Sequence, residues 1–438
     1  MKPILDAVKQ YIDQKQSQRQ WQAGRDFVNY SGTYFDSEEY VAAVASLLSG
    51  WLVMGDESMR FEQEFPALFG QTRGILTNSG SSSNLLMMSS LTSKRGHNLP
   101  KGTKVLMPIA GFPTTLNPTL QVGFEPVFVD IELDTLNLDL THAEQLIEQH
   151  GIRVITFAHV LGNPPNMDRV MELVKKYNLI LLEDCCDALG TTYRGQPLGS
   201  FGLMASCSFY PAHHMTMGEG GFVATSDVNQ EVILRSFREW GRGCYCIGPE
   251  ANKLKCGTCN RRFSEWIPSM PGEIFDHKYV YDEIGYNLKP IELQAAMGRV
   301  QMRKLPEIHS LRRRNYQLMF DIYQPYEEFF HLPRAREHSD PSWFAFPVTI
   351  RSGAPFSRND LVDYLETNLI QTRPYFAGNV MLQPAYTHIM DPAAARDNYP
   401  GATHAMTHTY FHGTSPVLTP EQIAYIGDKV QGFLSLYT

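Results

Sequence analysis

The chain has 438 residues, 43% hydrophobic and 19% charged, with 38 Lys+Arg against 46 Asp+Glu and a net charge of −8. That composition supplies a buried core and excludes intrinsic disorder and collagen-like or coiled-coil fibres. A mildly acidic chain lacks the basic face that non-specific nucleic-acid binding needs, and no apolar run approaches the roughly 20 residues of a membrane helix.

In chain order, residues 1–35 begin with a polar, helical pattern that has no continuous apolar stretch of the kind a secretion signal carries. A cytoplasmic protein is therefore expected. Asp36, with Glu39 three residues later, starts a helix that Gly50 ends. Six short apolar runs bounded by turn residues then read as strands: 104–109, 125–130, 153–158, 179–184, 205–210 and 221–226. Helical patterns at His142–His150 and Met167–Tyr177 separate some of them. This alternation predicts an α/β fold whose sheet is mainly parallel and covered on both faces, with chemistry at the carboxyl ends of the strands. Around 240–290 the pattern lapses into a long loop rich in Gly, Pro, Cys and aromatics. A helix from about Pro290 to Asn315, broken near Pro306, leads into a smaller α+β domain closed by a helix near 419–436. The expected division is 1–35 as an N-terminal helical segment, 36–305 as the large domain and 306–438 as the small one.

Four groups of residues carry chemistry. The segment from Thr77 to Asn84 contains Ser79, Gly80 and Ser81 just before an apolar helical stretch. Free N–H groups and small hydroxyl side chains at a helix start suit a phosphate, although an ordinary serine-rich cap has the same composition. The strand ending at Asp184 carries Glu183, Asp184 and Asp187. A buried aspartate at such a strand end can hold a pyridine nitrogen protonated, and a helix cap is the alternative reading. The third group is the run from Ser208 to Gly221, with His213 and His214 in its middle. The fourth is the cysteines: of seven, four fall between residues 244 and 259. Clustering of this kind points to a metal centre or redox chemistry.

The third group carries a family resemblance. Ser208-Phe209-Tyr210-Pro211-Ala212-His213, followed by Gly218-Glu219-Gly220-Gly221, resembles the Ser-Phe-x-Pro-x-Lys and Gly-(Asp/Glu)-Gly-Gly segments of the DegT/DnrJ/EryC1 sugar-modifying branch of fold-type I pyridoxal phosphate enzymes. That branch comprises nucleotide-sugar aminotransferases and dehydratases. His213 stands where the aminotransferases carry their Schiff-base lysine. This departure argues against transamination and fits the dehydratases that hold pyridoxamine phosphate without a covalent bond and use a histidine base, for which imidazole has a suitable pKa. The cysteines resemble those of the iron–sulfur member of this subset, the CDP-4-keto-6-deoxyglucose 3-dehydratase family: 57 residues lie between Cys186 and Cys244, and one between Cys244 and Cys246. The last step departs from the family. Twelve residues separate Cys246 from Cys259 where the family has seven, and Cys259 is aligned as the fourth ligand because Cys-Asn-Arg-Arg-Phe (259–263) resembles the family's segment at that cysteine. Cys256 is then a spare thiol. A zinc site of Cys244, Cys246, Cys256 and Cys259 is the alternative on local spacing alone.

The resemblance extends from about Gly50 to the C-terminus. It implies an aspartate aminotransferase-like fold, Phe112 stacked on the cofactor ring, Asp184 at its nitrogen, Asp187 near its phenolic oxygen and Ser208 on its phosphate. It also implies a homodimer in which Asn287 reaches the neighbouring subunit's cofactor. The implied activity is C3 deoxygenation of a nucleotide-linked 4-keto-6-deoxyhexose, with His213 as base. A [2Fe–2S] cluster on Cys186, Cys244, Cys246 and Cys259 would pass electrons from an NAD(P)H-dependent flavin or iron–sulfur reductase. The rivals are a cluster-free dehydratase and a non-catalytic, zinc-stabilised sugar-nucleotide binding subunit. Cys185, Cys207 and His214 are expected to be structural, and Arg312, Arg313 and Arg314 to form a solvated helix face.

Overall fold

A computed structural model of the chain describes residues 1–18, 20–244 and 260–437. Its centre is a seven-stranded sheet built from β1 (Arg73–Thr77), β2 (Lys104–Pro108), β3 (Glu125–Val129), β4 (Val154–Ala158), β5 (Ile180–Asp184), β6 (Met204–Ser208) and β7 (Gly221–Thr225). The order is β1-β7-β6-β5-β4-β2-β3, and only β7 runs antiparallel to its neighbours. All six runs read from the sequence form strands of this sheet. The seventh, β1, has no counterpart among them. It is an edge strand whose large apolar residues are Ile75 and Leu76, too short to stand out from the loop around it. Its place is defined by pairing Arg73 to Thr225 and Thr77 to Gly221.

Apolar residues cover both faces of the sheet, as its near-continuous hydrophobic strands require. The helices that matter here are α1 (Lys2–Ser17), α2 (Ser37–Leu48), α3 (Asp56–Glu64), α4 (Gly80–Ser90), α5 (Pro113–Gln121), α6 (Leu140–His150), α7 (Met167–Tyr177), α8 (Val228–Arg238) and α9 (Glu292–Tyr323). The expected capping box of Asp36 and Glu39 opens α2. Asp139 caps α6, so that helix begins two residues before the expected His142.

The break expected near Pro306 is absent. α9 continues through it for 32 residues. A proline inside a helix costs about 3 kcal/mol. Burial on both sides of it outweighs that cost. Leu305 and Ile308 are buried. Gln301 donates to Glu39 at 2.7 Å and to the Tyr34 carbonyl at 2.8 Å. Arg312 donates to the Phe344 carbonyl at 3.0 Å.

Beyond α9 lies an antiparallel sheet of β8 (Phe330–His331), β9 (Ala345–Ile350), β10 (Arg373–Pro374) and β11 (Thr409–Gly413), in the order β8-β9-β11-β10. It has its own apolar cluster, and a final helix, Pro420–Leu434, packs there behind a Thr419–Gln422 capping box. The N-terminal segment returns to this second sheet. Val28 donates its N–H to the Leu369 carbonyl and accepts from the Gln371 N–H.

Candidate functional site

The carboxyl ends of β2, β4, β5 and β6 open into one cavity of about 550 Å³, walled on its far side by residues of β10 and β11. Ser79, Gly80, Ser81, Phe112, Asp184, Cys186, Asp187, Ser208 and His213 all line it.

Ser79 caps α4, its hydroxyl accepting from the Ser82 N–H at 3.1 Å. Gly80 is required by close approach: a Cβ there would lie 2.5 Å from Ser208 Cβ and 3.1 Å from Cys186 Sγ. Without that side chain the start of α4 sits directly against the ends of β5 and β6. The helix start and the Ser208 hydroxyl thus form a small cradle whose free donors suit a phosphate.

Asp184 is nearly buried, at 6% exposure. Its carboxylate accepts from Asn84 Nδ2 at 2.8 Å, the Cys186 N–H at 3.0 Å and Ser206 Oγ at 3.3 Å. Asn84 stands one turn into α4, so the helix that forms the cradle also fixes this acid. Phe112 caps α5 at the cavity mouth, half exposed, its ring edge-on to Phe376 at 5.9 Å.

His213 lies on the turn after β6. Its Nδ1 is 3.4 Å from Asp187 Oδ1, and its ring rests against Phe344 at 5.2 Å. Burial raises the Asp187 carboxyl above its usual range, and the neighbouring His213 opposes that shift. His214 turns the other way. It is buried, bonded through Nε2 to the Ser342 carbonyl at 2.7 Å, and burial holds it well below the usual histidine range. Cys185 and Cys207 are buried thiols, as expected.

Arg312 corrects the expectation of a solvated face. It is 1% exposed. From α9 its guanidinium reaches the carbonyls of Ala212 at 3.1 Å and His213 at 2.8 Å, pinning the turn that carries His213. Helical spacing contained the signal: 305, 308, 312, 315 and 319 recur on one face and all are buried.

Other predicted residues lie elsewhere. Asn287 is exposed, is not part of this cavity's lining, and accepts from Lys289 Nζ at 2.9 Å. Lys289 in turn sits 3.6 Å from the Trp240 ring centroid, and burial brings its pKa down to about 8. Cys244 is also not part of the cavity lining; its Sγ is 3.5 Å from His277 Nε2. Cys246, Cys256 and Cys259 fall outside the described residues. Of the expected metal ligands among the described residues, Cys186 lines the cavity and Cys244 does not.

The comparisons with known proteins agree with this geometry. Residues 34–431 match the DegT/DnrJ/EryC1/StrS aminotransferase family. The chain belongs to that family. It is 40% identical over 435 residues to the lipopolysaccharide biosynthesis protein RfbH of Salmonella typhimurium, covering 99% of this chain and 98% of the relative. It is 39% identical to the dTDP-4-dehydro-2,6-dideoxy-D-glucose 3-dehydratase of Saccharopolyspora spinosa, covering 99% and 92%. Among solved structures, the GDP-4-keto-6-deoxy-D-mannose-3-dehydratase of E. coli with bound hydrated PLP superposes with a TM-score of 0.81 at 27% identity, over 92% of this chain and 99% of that one.

The fold is therefore that of the family's pyridoxal phosphate enzymes, and the chain is an enzyme. A pyridoxal or pyridoxamine phosphate cofactor is supported by these matches and by the fit of the cavity. The cradle at α4 has donors that fit a phosphate, and Asp184 is a buried acid lining the same cavity. Among the described residues, the cavity lining includes no lysine, the side chain that makes the covalent link in an aminotransferase. Among the described residues, no helix is long and apolar enough to cross a membrane.

Proposed function

We propose that this enzyme is a pyridoxamine phosphate-dependent 3-dehydratase. It removes the C3 hydroxyl of a nucleotide-linked 4-keto-6-deoxyhexose, CDP-4-keto-6-deoxyglucose, on the way to a 3,6-dideoxysugar. The observation that carries this reading is His213 in a cavity that has a buried Asp184 and, among the described residues, no lysine. When bound, the cofactor supplies the amine that engages the C4 ketone and an electron sink for the bond changes that ensue.

The chain's own residues do the rest. Ser79, Gly80, Ser81 and Ser208 bind the phosphate, Phe112 covers the ring, and Asp184 keeps a proton on the ring nitrogen. Asp187, 3.4 Å from His213 Nδ1, would orient the imidazole and leave Nε2 as the base for a proton at the bound cofactor's C4′. Arg312 keeps the His213 turn in place. Residues 36–305 hold the cofactor and 306–438 form the closing domain. Asn287, exposed and not part of its own cavity's lining, serves the partner subunit's site in a homodimer.

Cys186, Cys244, Cys246 and Cys259 would hold a [2Fe–2S] cluster, which would supply one-electron chemistry fed by an NAD(P)H-dependent flavin or iron–sulfur reductase. Cys186 supports this because it lines the cavity two residues from Asp184, a short path to the substrate. Cytoplasmic location accords with a reduced thiol set.

The test is anaerobic purification, metal and sulfide analysis, and assay with CDP-, dTDP- and GDP-linked 4-keto-6-deoxyhexoses. The expected result is about two irons and two sulfides per chain, lost in Cys186→Ser, and a 3-deoxygenated product only with a reductant. Product without iron would replace this reading with a cluster-free dehydratase. Zinc without turnover would replace it with a binding subunit.

A further inference from the structure

The family match begins at residue 34, yet Tyr30, which precedes it, lines the cavity. The N-terminal segment forms a strap over the edge of the second sheet. Val28 is bridged to Ile370, and the Tyr30 N–H donates to Gln371 Oε1 at 3.4 Å. The Tyr30 carbonyl presses on Gly413 so closely that a Cβ there could not be accommodated. The Tyr30 ring meets Phe411 edge-on at 6.3 Å. Its position is thus fixed from three sides.

That ring carries the guanidinium of Arg373 at 4.4 Å from its centroid. Arg373 is the one Lys or Arg among the described residues lining the cavity. It uses one donor on the Thr372 carbonyl at 2.8 Å, and no carboxylate lies within ion-pairing distance of it among the described residues. The neighbouring Thr372 is tied by its N–H and hydroxyl to Glu366 at 2.6 and 2.9 Å, so the backbone beneath Arg373 is held as well. The remaining charged lining residues are acidic or imidazole: Asp184, Asp187, Glu219 and His213. Away from the cradle at α4, an anionic group entering this cavity meets one cationic side chain among the described lining residues, Arg373 on the outer wall. A planar guanidinium with free forked donors, stacked on an aromatic ring, suits phosphate oxygens.

We infer that Arg373, held face-on by Tyr30, binds the diphosphate of the nucleotide-linked substrate, so that the N-terminal strap is part of the substrate site. Tyr30 acts through Arg373 and is a positioning residue. This inference rests on the nucleotide-sugar reading above.

The experiment is calorimetric titration of the cofactor-loaded, full-length protein with CDP, dTDP and GDP, and with the corresponding monophosphates. Wild-type protein is expected to prefer one diphosphate over its monophosphate. Arg373→Gln should weaken that diphosphate by about tenfold or more and erase the preference. Tyr30→Ala should weaken it several-fold, and Tyr30→Phe, which keeps the ring face, should restore it. A purely structural Tyr30 would change melting temperature without this pattern. Diphosphate affinity in Arg373→Gln within about twofold of wild type would overturn the inference and leave the proposed activity standing. If Arg373→Gln does not fold, Arg373→Lys decides: it keeps the charge but loses the planar face, and an unchanged affinity would overturn the inference. Failure of every diphosphate to bind wild-type protein would overturn both readings.

Discussion

Two carboxylate–histidine pairs flank the end of β5, and they differ in what their atoms have left to do. On one side, Glu183 meets His159 at 3.0 Å, both fully buried. Glu183 also accepts from the backbone N–H groups of Gly199 at 2.9 Å, Phe201 at 2.8 Å and Gly202 at 2.6 Å. With Cys185 alongside, the residue types are those of a metal site. Yet each Glu183 oxygen already accepts two hydrogen bonds, so this carboxylate is spent on structure. On the other side, Asp187 and His213 stand 3.4 Å apart and both line the cavity. The same chemistry serves architecture where its lone pairs are consumed and reactivity where some remain.

The contrast can be broken most forcefully at His213. His213→Asn should reduce turnover by about 10²–10⁴-fold, with the fold and cofactor binding retained. Steady-state assay alongside cofactor absorbance checks this, and normal turnover would show that the open pair is not the base. At the closed pair the loss should be of another kind. Glu183→Gln turns an amide N–H toward backbone donors and should lower stability by about 3 kcal/mol in denaturant unfolding. Turnover per folded molecule should stay near wild type.

The smallest effect is expected at Asp187. Burial raises its carboxyl, so at neutral pH the ionised form disfavours the folded state. Asp187→Asn should therefore stabilise the cofactor-free protein at pH 7, within about 1 kcal/mol. The gain should disappear as pH falls through the raised folded-state value and below the ordinary aspartate value of about 3.9, where both states are protonated. A gain that persisted at pH 3 would exclude ionisation as its source.

Which of these features was legible in the sequence depends on how local their causes are. The central strands announce themselves as short apolar runs between turns. Asp184 is recognisable as a polar residue ending such a run. Glu183 looks equally promising there, because its partners at 199–202 are brought in by the fold; strand alternation alone sends it to the other face. Arg312 was hidden in a run of three arginines, although its helical phase marked it as inward. Pro306 signalled a break that tertiary packing overrides. Tyr30 carried no local sign at all, since its meaning depends on a partner 343 positions downstream at Arg373.

That long reach has a consequence for how the molecule is made. The strap binds residues 369–371 and presses on Gly413, so it cannot find its seat until most of the chain exists. At about 5–20 residues per second, the first 30 residues wait on the order of tens of seconds on the ribosome without their partners. The central sheet and its cofactor cradle can form during that wait. The outer wall of the cavity is completed last, by a segment made long before its partners.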